Sequence, residues 1–212
     1  MKREEFFKLW SSLHGDVKIT GIVKGWLSIS FTVTKPLAKA NISPNVLTGG
    51  GVLASIYLWL SAAHKFALIL LAISIFLDAI DGTLAMLTGK ASKRGAVLDS
   101  VADRVAEFFW ALTFYALGAP IWILAGAWAL AFAQEYLRAR IAGLGVTQVS
   151  MVTICERPVR ASLLAIALGL AIIHSQGIKE VAIIWLVMQL ISFVSLMRHS
   201  YKLLSATNRI GN

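Results

Sequence analysis

Between residues 45 and 200 the sequence alternates apolar stretches of about twenty residues with short polar breaks, and that pattern leaves few folds open. A helix of that length crosses a hydrocarbon core of ~30 Å. Six such spans are expected, near 45–63, 66–88, 95–117, 121–142, 161–175 and 180–200. Pro44 suits the start of the first, with Ser43 as its cap. Gly118-Ala-Pro120 makes a tight turn between the third and fourth. Composition agrees: the chain is 58% hydrophobic and 15% charged, where soluble domains average about 25% charged. The expected fold is an all-α integral membrane protein. One six-helix domain occupies residues 41–205, an N-terminal segment 1–40 precedes it, and a short tail, 206–212, follows. In the first fourteen residues Phe6, Phe7, Leu9, Trp10 and Leu13 are interspersed with charges, as in an interfacial amphipathic helix. Residues 17–38, broken by Gly21, Gly25 and Pro36, read as a partly helical juxtamembrane stretch.

The net charge is +9. The basic residues flank apolar spans instead of forming one soluble face, so no nucleic-acid partner is expected. With the N-terminus in the cytoplasm, seventeen of the twenty Lys and Arg fall on the cytoplasmic side. Lys65 and Lys179 fall outside, and Arg104 lies within a span. By the positive-inside rule both termini are expected in the cytoplasm, with the protein in the cell membrane. The charged N-terminus is followed by no apolar leader, so no cleavable signal peptide is expected. A single cysteine, Cys155, excludes an internal disulfide and reads as a packing residue. His14, His64, His174 and His199 are scattered and suggest no metal site.

Against this apolar background, four of the eleven acidic residues sit within 26 positions: Asp78, Asp81, Asp99 and Asp103. Carboxylates next to lipid are costly and usually functional. The first two are spaced i,i+3, with Gly82 and Ala85 on the same helical face. The other two are spaced i,i+4, with Gly95 one turn earlier. Each pair lies roughly 6–15 Å in from the cytoplasmic end of its span. The short basic loop at Lys90, Lys93 and Arg94 makes the two helices antiparallel neighbours, which predicts an acidic cavity open to the cytoplasm. Four carboxylates at close quarters cannot all stay ionised without cations. All-oxygen ligands suit Mg²⁺ or Mn²⁺, and two such ions form a clamp for phosphoryl displacement. Small residues on that face let a nucleotide approach the backbone; the competing reading makes them simple helix–helix contacts.

The run Asp78-x2-Asp81-Gly82-x2-Ala85-Met86-x8-Gly95-x3-Asp99-x3-Asp103 resembles the motif of the CDP-alcohol phosphotransferases, also called CDP-alcohol phosphatidyltransferases. The motif covers about an eighth of the chain and departs from the family at one place: Met86 stands where the family has Arg. The resemblance implies a phospholipid-biosynthesis enzyme that transfers a phosphatidyl-type group from a CDP-linked lipid, such as CDP-diacylglycerol, to an acceptor hydroxyl, releasing CMP. It implies that Asp78 and Asp99 bridge two metal ions, that Asp81 binds one, and that Asp103 binds the second and acts as general base. Gly82, Ala85, Ser92 and Gly95 would line the nucleotide site. The Ser43-Pro44-Asn45…Thr48 segment also resembles the family and would reach the nucleotide. Met86 removes a cationic contact to the donor, so Lys90, Lys93 or Arg94 is expected to compensate, or donor affinity or type to differ.

A second basic set comprises Tyr136-Leu-Arg138-Ala-Arg140, Glu156-Arg157-Pro158-Val-Arg160 and Arg198. It is similar to that of the phosphatidylinositol-phosphate synthase branch of the family, where arginines hold the acceptor's own phosphate. Arg138, Arg140, Arg157 and Arg198 are thereby expected to bind a phosphorylated small alcohol, inositol phosphate before glycerol 3-phosphate. Glu107 and Glu135 are expected to pair with arginines. The resemblance also suggests a homodimer. Two readings from other classes compete: an ion-coupled transporter, which would place its charges at the midplane in repeated halves, and an inactive membrane scaffold, for which Met86 is the only hint.

Overall fold

The computed structural model describes residues 1–13, 16–146 and 151–210, without the side chains of 22 and 206–210. His14, part of the polar loop (147–150), the Arg209 side chain and the last two residues of the expected tail lie outside the described residues. The described chain is all-helical. Its helices are α1 (Arg3–Leu13), α2 (Gly21–Lys39), α3 (Pro44–Leu60), α4 (Ala67–Thr88), α5 (Lys93–Ala116), α6 (Ile121–Gly143), α7 (Arg157–Ile172) and α8 (Ile178–Ile210). They form two compact units: 1–55 with 72–106, and 56–71 with 107–212.

The six expected spans coincide with α3 to α8. Among the described residues, two helices are long and apolar enough to cross a membrane: α4, and α8 over Ile178–Ser205, each with mean hydropathy 2.0. α3 and α7, at 17 and 16 residues, are short for a full crossing. α6 carries Gln134, Glu135, Arg138 and Arg140 in its second half. Two boundaries differ from expectation. α7 begins at Arg157, because Pro158 is tolerated in a first helical turn. α8 continues into residues read as tail, reaching Ile210.

In the first unit, α1 is amphipathic as expected and buries Phe6 completely against Leu27 and Phe31 of α2, with Phe6 and Phe31 ring centroids 5.6 Å apart. α2 is one helix of 19 residues, more regular than its Gly and Pro content suggested. Pro36 falls in its last turns, where its carbonyl still accepts the Ala40 N–H at 2.9 Å. The inward hydroxyls of Ser30 and Thr34 bond back to carbonyls of their own helix, a local solution for buried polar groups. Leu47 of α3 packs on Ile80 and Leu84 of α4. The two helices meet closely at Gly51: a Cβ there would sit 3.3 Å from the Ser74 carbonyl oxygen. The same spot carries a 2.7 Å Ser55–Ser74 hydroxyl pair, and Ser74 Oγ lies 3.0 Å from the Gly51 carbonyl oxygen.

In the second unit α8 packs on α6 and α7. Phe114 and Trp185, both buried, meet with ring centroids 5.5 Å apart and planes tilted by 34°. A polar network runs through this apolar interior. Arg160, 2% exposed, donates to Glu107 at 2.8 and 3.1 Å and to the Cys155 carbonyl at 2.8 Å. Gln189 donates to Gln134 at 2.9 Å, and Gln134 to Thr153 at 3.3 Å. Cys155 is fully buried, its N–H donating to Ser192, and burial pushes its thiol up to about 11.

Candidate metal and nucleotide site

The aspartate pairs of α4 and α5 both belong to the first unit. Oxygens of Asp78, Asp99 and Asp103 converge, each within 4.8 Å of the others. Asp81 is not one of this trio. It is 6% exposed, and its Oδ2 accepts a 2.5 Å hydrogen bond from the Thr48 hydroxyl. Like charges this close cannot all stay ionised without a cation between them. An all-carboxylate set without His or Cys fits a hard divalent ion such as Mg²⁺ or Mn²⁺. The residues that would hold it are Asp78, Asp99 and Asp103. The Arg104 guanidinium lies 3.7 Å from Asp103.

A cavity of about 260 Å³ opens beside Asp81 and Asp99. Of the eight residues expected at the nucleotide, seven line it: Asn45, Thr48, Gly82, Ala85, Met86, Ser92 and Gly95. Ser43 is not among them; it sits just before α3, its carbonyl accepting the Val46 N–H at 3.0 Å. Ser92 caps α5, its hydroxyl accepting the Gly95 N–H at 3.1 Å. Lining the cavity and starting the helix are thus one residue's work.

The small residues separate into two kinds. A Cβ on Gly82 would meet nothing within 4 Å, so Gly82 is not a helix contact; it faces open space. Gly50 and Gly51, which the sequence did not single out, are helix contacts: a Cβ on Gly50 would sit 3.2 Å from Leu77 Cδ1, and one on Gly51 3.3 Å from the Ser74 carbonyl oxygen. Gly82 and Met86 also line a second, mostly apolar cavity of about 510 Å³, with Trp10, Trp26 and Leu27.

The expected acceptor arginines all lie in the second unit. Arg138 is committed within the protein: it donates to Glu135 at 2.8 Å, to Glu156 at 2.6 and 2.9 Å, and to the Met151 carbonyl at 3.0 Å. Glu156 is the opposite partner. Burial alone would push its carboxyl up, but Arg138 and the Thr153 N–H and hydroxyl outweigh that and hold it at about 2. Arg157 is partly buried, over the Trp110 ring at 5.4 Å and 3.8 Å from Glu107. Arg140 and Arg198 are exposed. Glu107 and Glu135 pair with arginines, as expected. Glu107's main partner, however, is Arg160, a member of the second basic set whose burial sequence position does not reveal.

These features have parallels in known proteins. The family model for CDP-alcohol phosphatidyltransferase matches residues 41–195. The archaetidylinositol phosphate synthase of Aeropyrum pernix is 32% identical over 121 residues, covering 56% of this chain and 62% of that protein. The chain thus spans under two thirds of that relative's length. The phosphatidylinositol phosphate synthase of Cutibacterium acnes is 30% identical over 160 residues, covering 69% of this chain and 77% of that one. The crystal structure of Mycobacterium tuberculosis phosphatidylinositol phosphate synthase with CDP-DAG bound superposes with a TM-score of 0.68 at 18% identity, covering 82% of this chain and 94% of that one. That likeness establishes a shared fold. With the family match spanning well over half its length, the chain belongs to the CDP-alcohol phosphatidyltransferase family.

Proposed function

We propose that this protein transfers a lipid-phosphate group from a CDP-linked lipid to the hydroxyl of an inositol phosphate, releasing CMP, in phospholipid biosynthesis. The observation that carries the reading is the convergence of Asp78, Asp99 and Asp103 within 4.8 Å, next to a cavity lined by the motif's small residues. Two divalent ions, Mg²⁺ or Mn²⁺, held by these carboxylates with Asp81, would neutralise the donor's diphosphate and stabilise the departing CMP. Thr48 fixes the Asp81 carboxylate, and Gly82 leaves the backbone open to the nucleotide. Asp103 accepts the proton of the acceptor hydroxyl. The new bond joins that oxygen to the β-phosphorus, and the bond from the β-phosphorus to the oxygen bridging the two phosphates breaks.

The acceptor assignment rests on the relatives. They are named for different lipids, archaetidyl and phosphatidyl, yet share inositol phosphate in their names. In this chain Arg140, Arg157 and Arg198 are proposed to bind the acceptor's phosphate, each contact worth roughly 1.5–3 kcal/mol. Arg138, bound to two glutamates, is the weakest of the four. The protein is further read as a six-span protein of the cell membrane, a homodimer, with site and termini facing the cytoplasm. The exposed apolar side chains of α8, Ile184, Val187 and Ile191 among them, suit contact with lipid.

CMP release by purified protein, measured with CDP-diacylglycerol or a CDP-linked ether lipid against inositol phosphate, glycerol 3-phosphate and free inositol, tests the reading. Inositol phosphate should give the highest kcat/KM; a preference for free inositol would refute the phosphate-binding role of the arginines. Sidedness needs a reporter other than the buried Cys155. Val152, 81% exposed, replaced by Cys in a Cys155→Ser background, should be labelled by an impermeant thiol reagent only from the cytoplasmic face.

A further inference from the structure

Met86 lines the nucleotide cavity without a charge, at the position where the family carries arginine. Three cations follow it in sequence, Lys90, Lys93 and Arg94. Of the three, Lys90 alone lines the cavity. We propose that Lys90 supplies the positive charge to the donor's diphosphate that the chain lacks at position 86. The proposal rests on the reading of this cavity as the donor site.

The backbone explains how a residue four positions downstream comes to the same cavity. α4 ends at Thr88, and Gly89 follows with φ +65°, in the left-handed region. The Gly89 N–H then donates to the Met86 carbonyl at 3.3 Å and the Lys90 N–H to the Ala85 carbonyl at 2.9 Å. This is the reversal with which glycine commonly ends a helix. It folds the chain back over the last turn and fixes the Lys90 backbone beside Ala85 and Met86. A side chain at 89 would strain the turn.

The side chain is held by a residue from outside the turn. Lys90 Nζ donates to Asn41 Oδ1 at 3.1 Å. Asn41 lies just before α3, whose first two turns contribute Pro44, Asn45 and Thr48 to the cavity. Asn41 has φ +59°, a conformation that asparagine tolerates better than most residues. The tether occupies one of the three ammonium donors and leaves two for an anion. Lys90 is exposed, so its ammonium is open to an incoming anion. A lysine meets phosphate as a point charge, where arginine would grip two oxygens. The contact is therefore weaker and less directional than the one it replaces. Lys90 also counts towards positive-inside topology, but that role requires neither the cavity position nor the Asn41 bond.

The test measures donor KM, acceptor KM and CDP binding by calorimetry for wild type, Lys90→Ala, Lys90→Arg, Lys93→Ala, Met86→Arg and the double variant Met86→Arg/Lys90→Ala, with thermal melts to establish folding. Lys90→Ala should raise donor KM and CDP Kd about tenfold with acceptor KM unmoved, and Lys90→Arg should retain both. The double variant should recover donor affinity, because arginine at 86 makes Lys90 dispensable. Lys93→Ala should match wild type. If Lys90→Ala melts early, Lys90→Gln replaces it. Wild-type donor KM in folded Lys90→Ala, or no recovery in the double variant, overturns the proposal and leaves the donor-site reading intact. Failure of the wild type to bind CDP overturns both.

Discussion

Gly82→Ala separates a binding face from a packing face more cleanly than any other change in this molecule. Gly82 lies inside α4, where glycine is unfavourable relative to alanine by about 0.5–1 kcal/mol. An added Cβ would meet nothing within 4 Å, so that gain is not offset by a clash. At about 2–4 °C per kcal/mol for a chain of this size, Gly82→Ala should melt about 1–4 °C above wild type. Gly82 is part of the wall of the cavity of about 260 Å³, next to Asp81, and an added methyl narrows that wall. A donor held against that wall must retreat, and a tenfold rise in donor KM, about 1.4 kcal/mol, is the expected scale. Gly51→Ala should do the reverse. Its Cβ would sit 3.3 Å from the Ser74 carbonyl oxygen and 3.9 Å from Leu77 Cβ, an overpacking worth about 1–3 kcal/mol of destabilisation. Its donor KM should stay near wild type. Paired melts and donor titrations in detergent decide the matter. Wild-type donor KM in Gly82→Ala, or a clear loss of stability, would refute the assignment of this face to the nucleotide.

Two further predictions concern the second unit. Arg160→Met strands Glu107, 1% exposed, without its main partner; breaking a buried pair costs about 3–5 kcal/mol, so the melt should fall far, and Arg160→Met/Glu107→Met should recover much of the loss. Glu156 has a carboxyl held at about 2 against an ordinary 4.5, so its stabilising contribution is complete above about pH 4.5 and disappears as pH falls through 2. The stability difference between wild type and Glu156→Gln should therefore be widest near neutrality and close towards pH 2; a difference independent of pH would contradict the Arg138 pairing.

The motif made the centre legible because chemistry fixed its spacing: Asp99 and Asp103 share one face of α5, and their i,i+4 interval states that in one dimension, while Asp78 meets them from α4. The apolar runs marked the helices for the same reason. What stayed hidden depended on which way a residue faces in three dimensions. Arg160 and Arg157 look alike in sequence, yet one is 2% exposed and tied to Glu107 while the other lies over Trp110. Gln134 and Gln189 carry no motif, and only their meeting at 2.9 Å reveals a buried network. Gly51 and Gly82 are both helical glycines; the neighbour of one and the open space of the other distinguish them. Asp81 matched the motif as well as its companions did, but its hydroxyl partner Thr48, 33 positions earlier, sets it apart.

CMP release from a CDP-linked lipid, measured with Mg²⁺, after EDTA and in Asp103→Asn, tests the central claim most directly. The account predicts turnover with Mg²⁺ and none after EDTA, recovery on adding Mg²⁺ or Mn²⁺, and loss of turnover in Asp103→Asn with CDP binding largely retained. Turnover that survives EDTA, or that persists near wild type without the Asp103 carboxylate, would contradict it.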